Sequence, residues 1–301
     1  MEFNSNEHQP SRSPHTTTSA SLKNPLGPTG RDKSLFKVES PSELESVQME
    51  LIHEKIEIPP LAACISRPRL KTLLEQSLAS CTSTILSGRS GTGKTTLAKD
   101  FARSSGRLIA WYKVDAPDNE LRIFFQYLVT SIRRQRRAFG SQTLMQLIQS
   151  ASGAQLPLLA EAFVYELERQ PGDPLLIVIE DMHLVCDAEW LVPVFGRLLP
   201  LLPSDVHVLI TSRTMPPAPL WRMRSKQTLS VIDEETLAFT RNEAVTLFES
   251  LGLSREQASI ALDHSHGRAA ALSSLAATLH LAERKQVRDK SPGAGTRKKI
   301  T

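Results

Sequence analysis

The chain has 301 residues, 40% of them hydrophobic, a formal charge of +4 and three cysteines. That length and apolar content allow one or two domains with a substantial core, and so small a charge excludes a chain whose whole surface answers to nucleic acid. The polar N-terminus lacks an apolar signal core, and no run approaches the about 20 apolar residues of a membrane span.

Residues 1–45 are rich in Ser, Thr, Pro and Asn and have no periodicity that would bury a face, so disorder is expected there. A lead-in follows from Ile58 to Leu70, with a short helix over Leu70–Leu78. Strands and helices then alternate. Strands are expected at Thr84–Leu86, Leu108–Val114, Leu175–Ile179, Val206–Thr211 and, more weakly, Leu229–Ile232. Helices are expected at Thr95–Arg103, Asn119–Arg134, Leu144–Ile148, Leu158–Glu168 and Trp190–Leu199. The unbroken apolar run Leu175–Ile179 is typical of a strand covered on both faces. Together these argue for an α/β fold, a parallel sheet sandwiched between helices.

After Phe239 only helical patterns remain. Thr240 and Glu243 form a capping box before Ala244, Val245 and Phe248. Gly252 ends that helix, and Ser254–Asp263 and Arg268–Arg284 read as two more. The expected organisation is a disordered region 1–45, a core domain 46–239, a helical lid subdomain 240–285 and a basic disordered tail 286–301.

Gly88-Arg89-Ser90-Gly91-Thr92-Gly93-Lys94-Thr95 stands between a strand and a helix. Glycines let the backbone turn so that successive N–H groups converge on an anion at a helix N-terminus. Lys94 reaches terminal phosphates and the Thr95 hydroxyl ligates Mg²⁺. The P-loop from Gly88 through Thr95, with Thr96 in the first helical turn, is therefore the expected nucleotide-binding element.

The strand Leu175–Ile179 ends in Glu180-Asp181, where carboxylates sit beside the phosphate loop in an open parallel sheet. One would hold Mg²⁺, directly or through water, and the other would orient an attacking water. Arg213 follows the next strand and is either a γ-phosphate sensor or a surface cation in a salt bridge. Lys94, Glu180, Asp181 and Arg213 are thus the expected catalytic set, with Thr95, Glu180 and Asp181 around the metal. His183 reads as a hydrogen-bonded structural residue, Trp111 and Tyr112 as core, and His264 and His266 as too closely spaced to share a metal.

Two basic clusters stand out, Arg133, Arg134, Arg136 and Arg137, and a second from Arg284 to Lys299. Each reads as a solvated helix end or tail, or as a contact for an anionic partner. Cys64, Cys81 and Cys186 have neither metal-ligand spacing nor the count of a disulfide framework, and read as reduced, mostly buried thiols of a cytoplasmic protein.

Taken in order, these residues resemble the MalT-like signal-transduction ATPases, the STAND NTPases of large LuxR-type transcription regulators. Ile65-Ser66-Arg67-Pro68-Arg69-Leu70 is similar to the family's base-contacting segment. Trp111-Tyr112-Lys113-Val114-Asp115 with Asp118-Asn119 resembles its W-x-x-x-D…D-N element, and Tyr127-Leu128 fits the helix that follows. Glu180-Asp181-Met182-His183 stands at its Asp-Asp-Tyr-His, Thr211-Ser212-Arg213 with Pro216-Pro217 at its T-S-R…P, and Leu237-Ala238-Phe239-Thr240 with Glu243-Ala244 at its L-x-F-T-x-x-E-A. The match covers about residues 58–280.

The resemblance implies a P-loop NTPase that switches between a closed ADP form and an open ATP form, hydrolyses ATP slowly and self-associates when ATP-bound. It implies Ser66 and Arg67 at the nucleotide base, Arg213 as the sensor arginine, ATP/ADP and Mg²⁺ as ligands, and output through an effector protein or DNA carried by another chain. Three departures are Glu180 for the usual aspartate, His266-Gly267-Arg268-Ala269 where the family tends to have Gly-Trp-Pro, and the lack of a sensor arm and DNA reader after Lys299. A truncated product and a stand-alone switch both fit the last. A nucleic-acid-associated ATPase, a small-molecule kinase and a nucleotide-binding module without turnover remain as alternatives.

Overall fold

A computed structural model describes residues 51–60, 64–170 and 172–290, with side chains described as far as residue 285. Five strands, β1 (Ser83–Ser87), β2 (Leu108–Lys113), β3 (Leu175–Glu180), β4 (Val206–Ser212) and β5 (Leu229–Ile232), form one sheet in the order β2-β3-β4-β1-β5. Every pairing is parallel, with Ile85 opposite Ile210 and Val178 opposite Leu209. Parallel neighbours require crossovers, and the helices that supply them cover both faces. This is the three-layer α/β architecture of a P-loop NTPase.

Alternate residues of each strand feed two separate cores. Ala110, Tyr112, Ile177, Ile179, Val208 and Ile210 face one, with α3 (Leu121–Arg133), α4 (Gln142–Ser150), α5 (Leu156–Arg169) and α6 (Leu191–Leu201). Trp111, Leu176, Val178, Leu209 and Leu86 face the other, with α1 (Pro68–Ser80) and α2 (Lys94–Ser104). The edge strand β2 is anchored by a buried ion pair. Lys55 Nζ lies 2.6 and 2.5 Å from the Asp118 carboxylate oxygens and 4.2 Å from the Tyr127 ring centroid. Trp111 and Tyr112 are core residues, at 1% and 0% exposure.

After the short helices α7 (Ala218–Trp221) and α8 (Glu234–Leu237), neither of which the sequence pattern announced, come α9 (Arg241–Ser250), α10 (Arg255–Ser265) and α11 (Ala269–Lys290). These three surround a third core of Phe248, Leu253, Ala258, Ala261, Leu272 and Ala276. The Thr240–Glu243 capping box forms as expected, and a second, Ser254–Gln257, opens α10. Helix α11 runs to Lys290, past the expected end at Arg284. The expected disorder at 1–45 lies outside the described residues, as do residues 291–301 of the tail expected over 286–301, while residues 286–290 of that tail continue α11 instead.

Several expectations change. The helix expected from Asn119 begins at Leu121, because Asp115 and Asp118 cap a separate turn over Ala116–Asn119. Two of the four arginines at 133–137 are structural rather than solvated, while Arg134 and Arg137 are exposed. Arg136 is buried with Nη2 2.6 Å from Asp205, and Arg133 donates to the carbonyls of Phe139 and Gly140. The thiols are not mostly buried: Cys64 is exposed, and Cys81 and Cys186 are half-buried.

His207 on β4 is buried between the Thr84 hydroxyl, 2.8 Å from Nε2, and the Cys81 carbonyl, 3.1 Å from Nδ1. Burial holds its imidazole at about 4, below the ordinary 6.5, although the Cys81 carbonyl favours the protonated form. Between those values the unfolded chain binds a proton that the folded chain refuses. The stability contribution is therefore full above about pH 6.5 and is lost as pH falls towards 4. Urea midpoints should drop more steeply over this interval in the wild type than in His207→Gln; equal slopes would contradict the assignment.

Candidate nucleotide site

Strand β1 runs into the phosphate loop, and the loop runs into α2. Gly91 and Gly93 have φ of 81° and 92°, a region that L side chains rarely enter. The turn places Lys94 at the first position of α2, 7% exposed. Its ammonium donates to the carbonyls of Gly88 at 2.5 Å and Arg89 at 2.9 Å, with the Thr92 hydroxyl at 3.4 Å. Burial lowers the Lys94 pKa, Asp181 opposes that, and Arg213 adds to it.

Strand β4 lies between β1 and β3, so the acidic pair is one strand removed from the loop rather than beside it. Glu180 still reaches across. It is 5% exposed, and its Oε1 accepts from the Thr95 hydroxyl at 2.5 Å. Glu180 Oε2 is buried and has no hydrogen-bond partner. A hydroxyl beside a carboxylate with an orphaned oxygen is a donor set suited to a hard divalent cation, so these residues fit Mg²⁺.

Asp181 turns the chain sharply, at φ 59° and ψ 35°. Its N–H donates to the Thr211 hydroxyl at 3.1 Å, which ties the tip of β3 to β4. His183 is not the hydrogen-bonded residue expected, since its Nδ1 is buried without a partner and lies 3.8 Å from Asp181 Oδ1. Burial lowers its pKa, Asp181 opposes that, and the cations Arg213 and Lys94 push it further down. Arg213, directly after β4, is exposed and belongs to no ion pair among the described residues.

A cavity of about 500 Å³ adjoins the loop, with Gly91, Gly93, Thr96 and Leu97 on one wall and Ile65, Phe239, Leu251 and Ala270 among the others. Arg67 lines it, but its guanidinium is engaged elsewhere. It donates to the carbonyls of Leu237 at 2.8 Å and Ala238 at 2.9 Å and to Glu243 at 2.8 Å, and it stacks 4.1 Å from the Phe239 ring centroid. Arg67 thus fastens the lead-in to the segment that opens α9. Ser66 donates to Asp100 at 3.2 Å and is not among the residues around the cavity.

Sequence reasoning missed three residues on the loop. The Glu234 carboxylate accepts from the Arg89 N–H at 2.8 Å and from Arg89 Nε at 2.9 Å. The Arg268 guanidinium donates to Ser90 O, and the Ala270 N–H donates to Gly91 O at 2.9 Å. The signals were an acidic run, Asp233-Glu234-Glu235, just after β5, and the departure His266-Gly267-Arg268-Ala269 from the family's Gly-Trp-Pro, neither of which points to the loop by itself.

Comparisons with known proteins bear on the family of this stretch. Residues 67–211 match the AAA ATPase domain model. The HTH-type transcriptional regulator MalT of Yersinia enterocolitica is 31% identical over 232 residues, 75% of this chain and 25% of that protein. MalT of Yersinia pestis is 30% identical over 200 residues, 66% of this chain and 22% of its own length. The chain thus spans about a quarter of these relatives. A STAND protein with a tetratricopeptide repeat sensor from Pyrococcus horikoshii aligns with a TM-score of 0.47 at 16% identity, over 72% of this chain and 30% of that one. Loop, acidic strand tip and family model coincide within one stretch of sequence: residues 67–211 carry an AAA ATPase domain, similar to the corresponding part of the MalT regulators.

Proposed function

We propose that this chain is an ATP-binding signal-transduction switch, a slow ATPase whose ATP and ADP states differ in the contact between loop and lid. One observation carries the reading. The Thr95–Glu180 pair, with a buried carboxylate oxygen left unpartnered, stands beside a lysine held at the root of the same loop. The loop amides and Lys94 would bind the phosphates, and Thr96 and Arg67 would border the nucleotide. Mg²⁺ held by Thr95 and Glu180, with Asp181 nearby, would neutralise phosphate charge. Asp181, set apart by its left-handed turn, is the better placed of the two acids to orient a water. Arg213 would distinguish ATP from ADP, because only a contact that differs between the two can shift an equilibrium.

In this reading ATP binding promotes self-association, and the output passes to an effector protein or to DNA. The relatives carry the words "transcriptional regulator" in their names, which favours a regulatory rather than a metabolic role. Among the described residues no helix is long and apolar enough to cross a membrane, which suits a cytoplasmic switch.

Lys94→Ala should weaken a fluorescent ADP analogue by at least about 100-fold, since it removes the cation nearest the phosphates. Unchanged affinity would overturn the assignment. Arg213→Ala should leave ADP affinity within about threefold while weakening a non-hydrolysable ATP analogue by about tenfold. Equal losses for both nucleotides would contradict a γ-phosphate sensor.

A further inference from the structure

Four consecutive carbonyls of the phosphate loop are each held by a donor. Gly88 O and Arg89 O accept from Lys94 Nζ. Ser90 O accepts from Arg268, with Nε at 3.1 Å, and Gly91 O accepts from the Ala270 N–H at 2.9 Å. The first two donors belong to the loop's own lysine. The last two come from the lid, at the start of α11. The approach is tight: a Cβ on Gly91 would sit 2.9 Å from the Ala270 Cβ, and one on Gly93 would sit 3.3 Å from the Ala269 Cβ.

A trans peptide plane is rigid, and its C=O and N–H point in opposite directions. Pinning Ser90 O towards the lid therefore turns the Gly91 N–H away from it. Pinning Gly91 O does the same for the Thr92 N–H. Glycine at 91 would otherwise leave these planes free to rotate, because it restricts its own dihedrals least. The lid thus acts on the loop's anion-binding groups from behind, through their carbonyls.

We propose that Arg268 is a positioning residue that pre-organises the phosphate-binding amides of Gly91 and Thr92 by holding Ser90 O. This rests on the nucleotide reading of the site and deepens it, since it gives the lid a role in affinity without a contact to phosphate. A residue that acts on amide direction serves every phosphate ligand alike. Arg268 therefore differs from Arg213, which is expected to separate ATP from ADP. Glu234 braces the other end of the loop through the Arg89 N–H, and Arg268 helps to keep the Glu234 carboxyl ionised after the larger contribution of Arg89.

The test compares wild type, Arg268→Ala and Arg268→Lys in two measurements. Calorimetry reads affinity for ADP and for a non-hydrolysable ATP analogue. Hydrogen exchange without nucleotide reads the amides of the loop and of β3. Arg268→Ala should weaken both nucleotides by the same factor, about tenfold. It should also raise exchange at Gly91 and Thr92 while β3 stays as in wild type. Arg268→Lys, which keeps one donor for Ser90 O, should restore both readouts to within about threefold. Selective loss of the ATP analogue would overturn the proposal in favour of a direct phosphate contact. Unchanged loop exchange would overturn it as well, and that arm holds whether or not the wild type binds nucleotide, so the two readings fail separately.

Discussion

The site depends on one contact, the buried Lys94 ammonium against the Gly88 and Arg89 carbonyls. It fixes the start of the loop, directs the peptide planes that follow, and stores a cation where phosphates would arrive. An ammonium taken from water without donors satisfied would be costly, and the loop carbonyls satisfy it. The positive-φ glycines make that wrapping accessible, and α2 then begins at the lysine itself. Everything else in the site reaches this loop from another element. Glu180 arrives from β3, Glu234 from the segment after β5, and Arg268 and Ala270 from the start of α11.

The sheet order explains the chemistry of the acidic tip. Placing β4 between β1 and β3 moves the acids away from the loop by one strand. Arg213, directly after β4, is exposed, whereas Glu180 at the tip of β3 is buried. Glu180 meets Thr95 directly across that distance. The departure from the family's aspartate is therefore compatible with an intact hydroxyl–carboxylate pair.

Much of this was legible in the residues. The phosphate loop is a local feature whose glycines, lysine and threonine define it without tertiary information. The apolar runs at Leu175–Ile179 and Val206–Thr211 mark buried parallel strands for the same reason. Illegible features were those made by distant partners. Arg67 reads as a base-contacting residue because of its place in a motif, yet its guanidinium closes on Leu237, Ala238 and Glu243, about 170 residues later in the chain. Arg136 looked like part of a solvated cluster until Asp205 came to face it. The local patterns around Glu234 and Arg268 do not point to the loop, because their partners there lie far away in the sequence.

The most direct measurement is calorimetric titration of the wild-type chain with ADP and with a non-hydrolysable ATP analogue, each with and without Mg²⁺. The account predicts one site per chain for both nucleotides and tighter binding when Mg²⁺ is present. A folded chain that releases no binding heat with either nucleotide at any Mg²⁺ level, and retains none through purification, would contradict it.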